Sequence, residues 1–296
     1  MRRAILLTGG GGQVGTELRR LAPEDFEIVA PGRDDLNLAD SEAIARQVGT
    51  RRWAAVINSG AYTAVDKAES DSVTAWQVNA MGPVALARAT AEAGIPLLQL
   101  STDYVFDGAK PSAYVEDDPV GPLGVYGASK EAGEQAVRTG NPRHIVLRTA
   151  WVVSPHGGNF VKTMLRLAET RDELRVVDDQ HGCPTSAGDI AAALIVIARR
   201  LIEDPGAPVG AYHFVNDGDA TWCGLAREIF ARAEAHGRRS PRVAAIGTAD
   251  YPTPARRPAN SRLDTGKLAR DFGLTPRPWR TAVAEVVDTL LAGPRT

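Results

Sequence analysis

Cysteine is scarce in this chain: there are two, Cys183 and Cys223, among 296 residues. They lie far apart and neither has a second ligand at metal-binding spacing, which argues against a zinc site and a disulfide-stapled scaffold. Both are expected as buried small hydrophobes. Long apolar runs are also missing, and no stretch approaches the roughly 20 residues of a membrane-spanning helix. The opening Met1-Arg2-Arg3-Ala4-Ile5-Leu6-Leu7 runs into glycines too soon for a signal peptide, so cytoplasmic residence is expected. Neither charge dominates: 34 Lys+Arg face 36 Asp+Glu, a net charge of −2, and no basic field calls for nucleic acid. Repeats are absent. So is any Gly-x-Ser-x-Gly elbow, which removes that class of hydrolase.

What the chain does have is an alternation of apolar strands and helical stretches. Residues 4–8 read as a strand, followed by Gly9-Gly10-Gly11-Gly12-Gln13-Val14-Gly15 and a helix over 16–21. Strand, glycine turn and helix start together suit a dinucleotide pyrophosphate. Glycines let the backbone approach, and the helix N-terminus offers free N–H groups and a positive dipole end. Two frames fit, Gly9/Gly12/Gly15 and Gly10/Gly12/Gly15. A second strand over 26–30 ends in Pro31-Gly32-Arg33-Asp34-Asp35. Arg33 suits the 2′-phosphate of NADPH, whereas Asp34 or Asp35 would suit NAD, and a solvated charged loop also fits. We take NADPH as the expected cofactor, with NADH use left open. Asp40 or Ser41 is the N-cap of the next helix.

A third strand over 54–58 leads to small residues around Ala61, Tyr62 and Thr63, which permit close approach of a cofactor. Asp66, Lys67 and Glu69 read as surface charges. One long helix is expected over 70–93, with Asn79 either bonding backbone near the site or satisfied within the helix. A fourth strand over 96–100 ends in Ser101-Thr102-Asp103-Tyr104-Val105-Phe106-Asp107-Gly108. The next helix carries Tyr126 and Lys130, four residues apart and so on one face. A fifth strand spans 144–148. The pattern predicts an α/β, Rossmann-type doubly wound parallel sheet over residues 1–152, completed by parts of 186–250, with a smaller interleaved part over 153–296. Ligands in such sheets lie beyond the carboxyl ends of the strands.

A hydroxyl (Thr102), a phenol (Tyr126) and an ammonium (Lys130) at one strand end can protonate a carbonyl oxygen while hydride reaches its carbon. A nearby Lys⁺ is expected to lower the phenol from its ordinary pKa of about 10, and three units would correspond to about 4 kcal/mol. Tyr-x-x-x-Lys is common by chance and gains force from the glycine turn and the upstream hydroxyl. His156 and His181 are rival acids without partners, and loop roles are expected for them. In the second half, helices are expected over 159–170, 190–202, 222–235 and 279–291, with strands over 174–177 and 211–215. The stretch 251–262 is too rich in proline and arginine for a regular helix or central strand. A diphosphate contact and a plain surface linker both fit it.

These motifs, together with Thr63-Ala64-Val65-Asp66-Lys67-Ala68-Glu69, Arg148-Thr149-Ala150-Trp151-Val152, Asp178-Asp179-Gln180 and Asn260-Ser261-Arg262-Leu263, resemble the dTDP-4-dehydrorhamnose reductases, extended short-chain dehydrogenase/reductases. The resemblance covers nearly the whole chain. It implies NAD(P)H-dependent reduction of the C4 ketone of dTDP-4-dehydro-L-rhamnose, coupled to a 3,5-epimerase, with residues 153–296 mainly holding the sugar nucleotide. Tyr126 would be the acid, Lys130 its activator and Thr102 the carbonyl partner. The family's cofactor contacts would fall on Gly12, Gln13, Val14, Asn37, Leu38, Ala61, Tyr62 and Thr63, beside Gly9, Gly15, Arg33, Tyr126 and Lys130 read from the residues themselves, and substrate contacts on Thr102, Asp103 and Trp151. Asn37 stands where many relatives carry Asp. Some members hold Mg²⁺ between subunits. Glu17 matches one of those acids but Gly188 stands where another is expected, so no structural metal is expected and monomer and homodimer both remain open. Two other readings stand beside this one: a reductase or epimerase for another nucleotide-deoxysugar, and a non-catalytic nucleotide-binding subunit. A 4,6-dehydratase fits less well, because Tyr104 occupies the place of its extra carboxylate.

Overall fold

The structure, a computed structural model, describes residues 2–292; Met1 and residues 293–296, at the outer ends of the two expected parts, lie outside the described residues. Six strands form the main sheet: β1 (Arg3–Thr8), β2 (Phe26–Val29), β3 (Ala55–Asn58), β4 (Leu97–Thr102), β5 (His144–Thr149) and β6 (Gly210–His213). Their order is β6-β5-β4-β3-β1-β2, and every neighbouring pair is parallel. The longer helices are α1 (Gln13–Leu21), α2 (Ser41–Gly49), α3 (Gly82–Glu92), α4 (Val125–Gly140), α5 (Phe160–Ala168), α6 (Ala187–Glu203), α7 (Trp222–Ala235) and α8 (Trp279–Leu291).

Helices cover both faces of the sheet, so its strands are apolar nearly throughout. On β1, Ile5 and Leu7 face one core with α1 and α6, while Ala4 and Leu6 face the other with α2 and α3. The α6 residues Ile190, Leu194, Ile197 and Leu201 recur at helical spacing and are all buried in the first core. Of the two N-cap choices for α2, the structure selects Asp40: its carboxylate accepts from the Glu42 and Ala43 N–H groups at 2.9 and 3.0 Å, an arrangement that stabilises a helix by about 1 kcal/mol.

Segments within 151–176, 220–243 and 279–291 build a second core from α5, α7 and α8, including Val161, Ile229, Phe230 and Trp279. A two-stranded parallel ribbon, Glu173–Val177 with Arg242–Ile246, borders it. Between these segments, α6 and β6 return to the main sheet, so the two halves interleave. Cys183 and Cys223 are buried and unbridged, as expected. Among the described residues no helix is long and apolar enough to cross a membrane.

The expected long helix over 70–93 is present as one continuous run over 72–92, interrupted only by a π segment. Ser72–Trp76 is α-helical, Gln77–Met81 is a π turn, and α3 follows. A π turn admits one extra residue and turns a side chain out of its α-helical direction. That side chain is Asn79.

Candidate active site

The carboxyl ends of the strands carry a polar seam. Thr8 on β1 donates its hydroxyl to Asn58 on β3, and Asn58 donates to Gln99 on β4 at 2.7 Å. Chain connections leave β1 for β2 on one side and β3 on the other, which opens a crevice at this edge. The glycine turn lies here. Gly9 has φ of +70°, and a Cβ on it would come within 2.5 Å of the Gly60 nitrogen; a Cβ on Gly15 would come within 2.2 Å of the Gly9 oxygen. Both must be glycine, one for its backbone conformation and one for the approach of α1 to the turn. Gly12 is the N-cap of α1 and brings no capping side chain, leaving the first-turn N–H groups of Gln13, Val14 and Gly15 at the mouth of the crevice. Gln13 accepts from Asn159 at 2.9 Å, which ties this turn to the second half. Arg33 and Asn37 are exposed beyond β2. The Asn37 side-chain oxygen accepts from the Ala39 N–H at 3.0 Å, and the Leu38 side chain packs in the core against Gly60.

Asn79 decides between its two readings. Its carboxamide accepts from the Tyr62 N–H at 2.8 Å and donates to the Tyr62 carbonyl at 3.0 Å and to the Ser129 hydroxyl at 3.1 Å. It therefore clamps the Ala61–Thr63 loop to the helix bearing Tyr126 and Lys130. Asp66 and Glu69 lie at the surface as expected, but each is bonded to a distant segment. Glu69 accepts the Val125 N–H at 2.9 Å and so caps α4, whose N-cap Gly124 has no side chain. Asp66 pairs with Arg257 at 2.7 Å and accepts the Ala255 N–H. Lys67 makes only a 3.9 Å exposed contact with Asp71.

Thr102, Tyr126 and Lys130 converge at the end of β4. The Lys130 ammonium donates to the Leu100 carbonyl at 2.7 Å, two residues before Thr102. The Thr102 hydroxyl donates to Asp103 at 2.9 Å and also stands beside the Tyr126 phenol, favouring its ionised form. The expected lowering of the phenol pKa is not what the structure shows. Loss of water around Tyr126 outweighs everything else and pushes the phenol above its ordinary range. Lys130 is buried too, and burial pulls its ammonium down to about 8, opposed by the Glu134 carboxylate one turn along. Burial thus keeps the phenol protonated at neutral pH, and the Lys130 ammonium is spent on the Leu100 carbonyl and contributes nothing to the phenol's shift. Asp103 is buried and desolvation raises it to about 6. One of its oxygens, Oδ2, has no hydrogen-bond partner among the described residues, which suits a polar group of a bound substrate.

The second half closes over this edge. Trp151 follows β5 and stacks on Trp222. From the proline- and arginine-rich stretch, Arg257 reaches back to Asp66 and donates to the Tyr104 phenol at 3.3 Å, and the Tyr104 ring meets Tyr126 edge-on at 5.4 Å. Arg262 is committed to Asn260 and the Pro111 carbonyl. His156 pairs with Glu17 at 3.1 Å, and His181 is exposed on a short strand. Glu17 is buried and also bonded by Arg20 at 2.7 Å, and among the described residues no group of three or more His, Cys, Asp or Glu is placed to hold a metal. Sequence reasoning missed Ser129, Glu134, Gln180, Trp222 and the anchoring of Arg257. Glu134 had a signal, being one turn beyond Lys130; the others are joined only by the fold.

A family model described as RmlD substrate binding domain matches residues 1–292. A dTDP-4-dehydrorhamnose reductase of Sinorhizobium fredii is 47% identical, covering 98% of both chains. Among solved structures, one of a dTDP-4-dehydrorhamnose reductase from Clostridium acetobutylicum is similar with a TM-score of 0.91 and 36% identity, over 97% of this chain and 99% of that one. Another, from Bacillus anthracis in complex with NADP, has a TM-score of 0.89 and 33% identity over the same shares. A dTDP-glucose 4,6-dehydratase from Streptomyces venezuelae, 19% identical with a TM-score of 0.79 over 98% of this chain and 97% of that one, shares the fold alone. The full-length match in sequence and in fold makes this chain a member of the dTDP-4-dehydrorhamnose reductase family.

Proposed function

We propose that the chain reduces the C4 ketone of dTDP-4-dehydro-L-rhamnose to dTDP-L-rhamnose with NADPH, after a 3,5-epimerase has set the ring. The observation that carries this reading is the convergence of Thr102, Tyr126 and Lys130 at the end of β4, on the same sheet edge as the glycine turn. The cofactor, when bound, supplies hydride to C4. Its pyrophosphate would meet the N–H groups of Gln13, Val14 and Gly15, and the Ala61–Thr63 loop would border its riboses. Tyr126 gives its phenolic proton to the carbonyl oxygen, which takes up the C=O electron pair as hydride adds to the carbon. Lys130 stabilises the phenolate left behind, and Thr102 orients the carbonyl. Asp103 and Trp151 contact the sugar nucleotide, with the main-sheet half holding the cofactor and the second core bordering the sugar.

The test is product analysis with dTDP-4-dehydro-6-deoxyglucose and NADPH, with and without a 3,5-epimerase. dTDP-rhamnose formed only with the epimerase is expected. Reduced product without it favours a reductase for a different deoxysugar, and no NADPH consumption in either arm overturns catalysis.

Two measurements bear on the parts. Arg33→Ala is expected to weaken NADPH by about tenfold, the loss of one charge-assisted contact, and NADH far less. Equal losses would remove the preference for NADPH. The value of about 8 for Lys130 sets an alkaline limb. Below it the ammonium persists; above it the charge is lost. For the free enzyme kcat/KM should fall as pH rises through about 8, and a profile that stays flat well beyond that would contradict the role of Lys130.

A further inference from the structure

The Trp151 backbone is strained. Its φ of +46° places a bulky non-glycine residue in the left-handed region, the one such case among the described residues. Strain of this kind persists only where surrounding contacts over-determine it. Three do so here. The Trp151 carbonyl accepts the Thr185 N–H at 3.1 Å. Gly182 lies against the indole so closely that a Cβ would be 2.4 Å from its Cε2. Trp222, the first residue of α7, stacks on it with ring centroids 3.6 Å apart and planes within 10°. Phe160 backs Trp222 at 4.8 Å.

Trp222 is itself held by Gln180, which two preceding acids brace. Asp178 accepts the hydroxyl of Thr221, the N-cap of α7. Asp179 accepts both the N–H and the hydroxyl of Thr248, at 2.9 and 2.6 Å. Gln180 accepts the Trp222 indole N–H at 3.1 Å and donates to the Thr248 hydroxyl at 3.0 Å. Residues 181–182 then pair with 220–221, so the bracket and the start of α7 are one piece. Asp178, Asp179 and Gln180 thereby tie Thr221, Thr248 and the Trp222 indole into one bracket behind the aromatic stack.

We propose that Trp222, held directly by Gln180 and indirectly by Asp178 through Thr221 and Asp179 through Thr248, is a positioning residue that fixes the Trp151 indole against the sugar nucleotide. The proposal rests on the reading of Trp151 as a substrate contact. Trp222 is placed to act through Trp151, setting substrate affinity and leaving proton and hydride transfer to the end of β4.

The test uses the full-length chain and three variants. Trp222→Leu removes the stack, Trp222→Phe keeps an aromatic ring without the N–H, and Trp151→Ala tests the underlying reading. Steady-state kinetics with the epimerised dTDP-sugar, NADPH binding and near-ultraviolet circular dichroism are recorded for each. Trp222→Leu is expected to lose the coupled-indole signal and raise KM by about tenfold, with kcat changed by less than about threefold and NADPH affinity unchanged. Trp222→Phe is expected to recover most of the KM. Loss of the indole signal in Trp222→Leu with KM unchanged overturns the proposal when Trp151→Ala does raise KM. An unchanged KM in Trp151→Ala instead overturns the substrate reading on which it rests.

Discussion

Tyr126→Phe is expected to lower kcat by about 10²–10⁴-fold, the usual contribution of a positioned general acid. The substitution removes one hydroxyl and keeps the ring, so its edge-on contact with Tyr104 and the start of α4 are retained. NADPH affinity should stay within about twofold, because the phosphate-facing N–H groups belong to α1. The direction of the phenol's shift matters here. Burial keeps Tyr126 protonated at neutral pH, the state a reduction requires of its acid. Steady-state oxidation of NADPH with the epimerised sugar measures the effect, and turnover within about threefold of the parent chain would remove Tyr126 from the reaction.

Glu134→Ala carries the largest expected effect on stability. The Glu134 carboxylate and the Arg148 guanidinium are 0% and 1% exposed and pair at 2.7 Å, with Arg148 Nε donating to the same carboxylate at 3.0 Å. Ser101 donates to it at 2.6 Å. One carboxylate thus joins α4 and β4, which carry Tyr126, Lys130 and Thr102, to β5, which leads into Trp151. Its removal leaves a buried guanidinium without its counter-charge, a loss of about 3–5 kcal/mol. That is a large part of the roughly 5–15 kcal/mol by which a protein is stable. Thermal unfolding should show a midpoint lower by on the order of 10 °C. Replacing the pair together, Glu134→Leu with Arg148→Met, is expected to recover most of it, since no charge is then stranded. A single variant as stable as the parent would show that the pair is not the tie between these elements.

The strands of the main sheet were legible because apolar runs bounded by glycine, proline and polar turns leave few other readings, and α7 and α8 end where the pattern puts them. Asn79 was ambiguous for a definite reason. Hydrophobic spacing over 70–93 reads as one α-helix, and a single π turn shifts the phase by a residue that periodicity cannot register. Asp66 and Glu69 read only as surface charges since their partners, Arg257 and the Val125 N–H, are distant in sequence. The phenol's shift came out with the opposite sign because adjacency of Tyr and Lys is visible in a sequence, whereas the water each loses on burial is not.

Local period and spacing alone were enough to read the doubly wound class, the glycine turn at the first strand, and the Tyr126/Lys130 pair on one helix face. The folded chain alone reveals that Asn79 clamps the Tyr62 loop, that Glu134 ties α4 and β4 to β5, that Thr102 reaches Tyr126, and that Gln180 holds Trp222 behind Trp151. Those contacts join residues tens of positions apart, and they arise from burial and close approach, which act between elements and not along the chain.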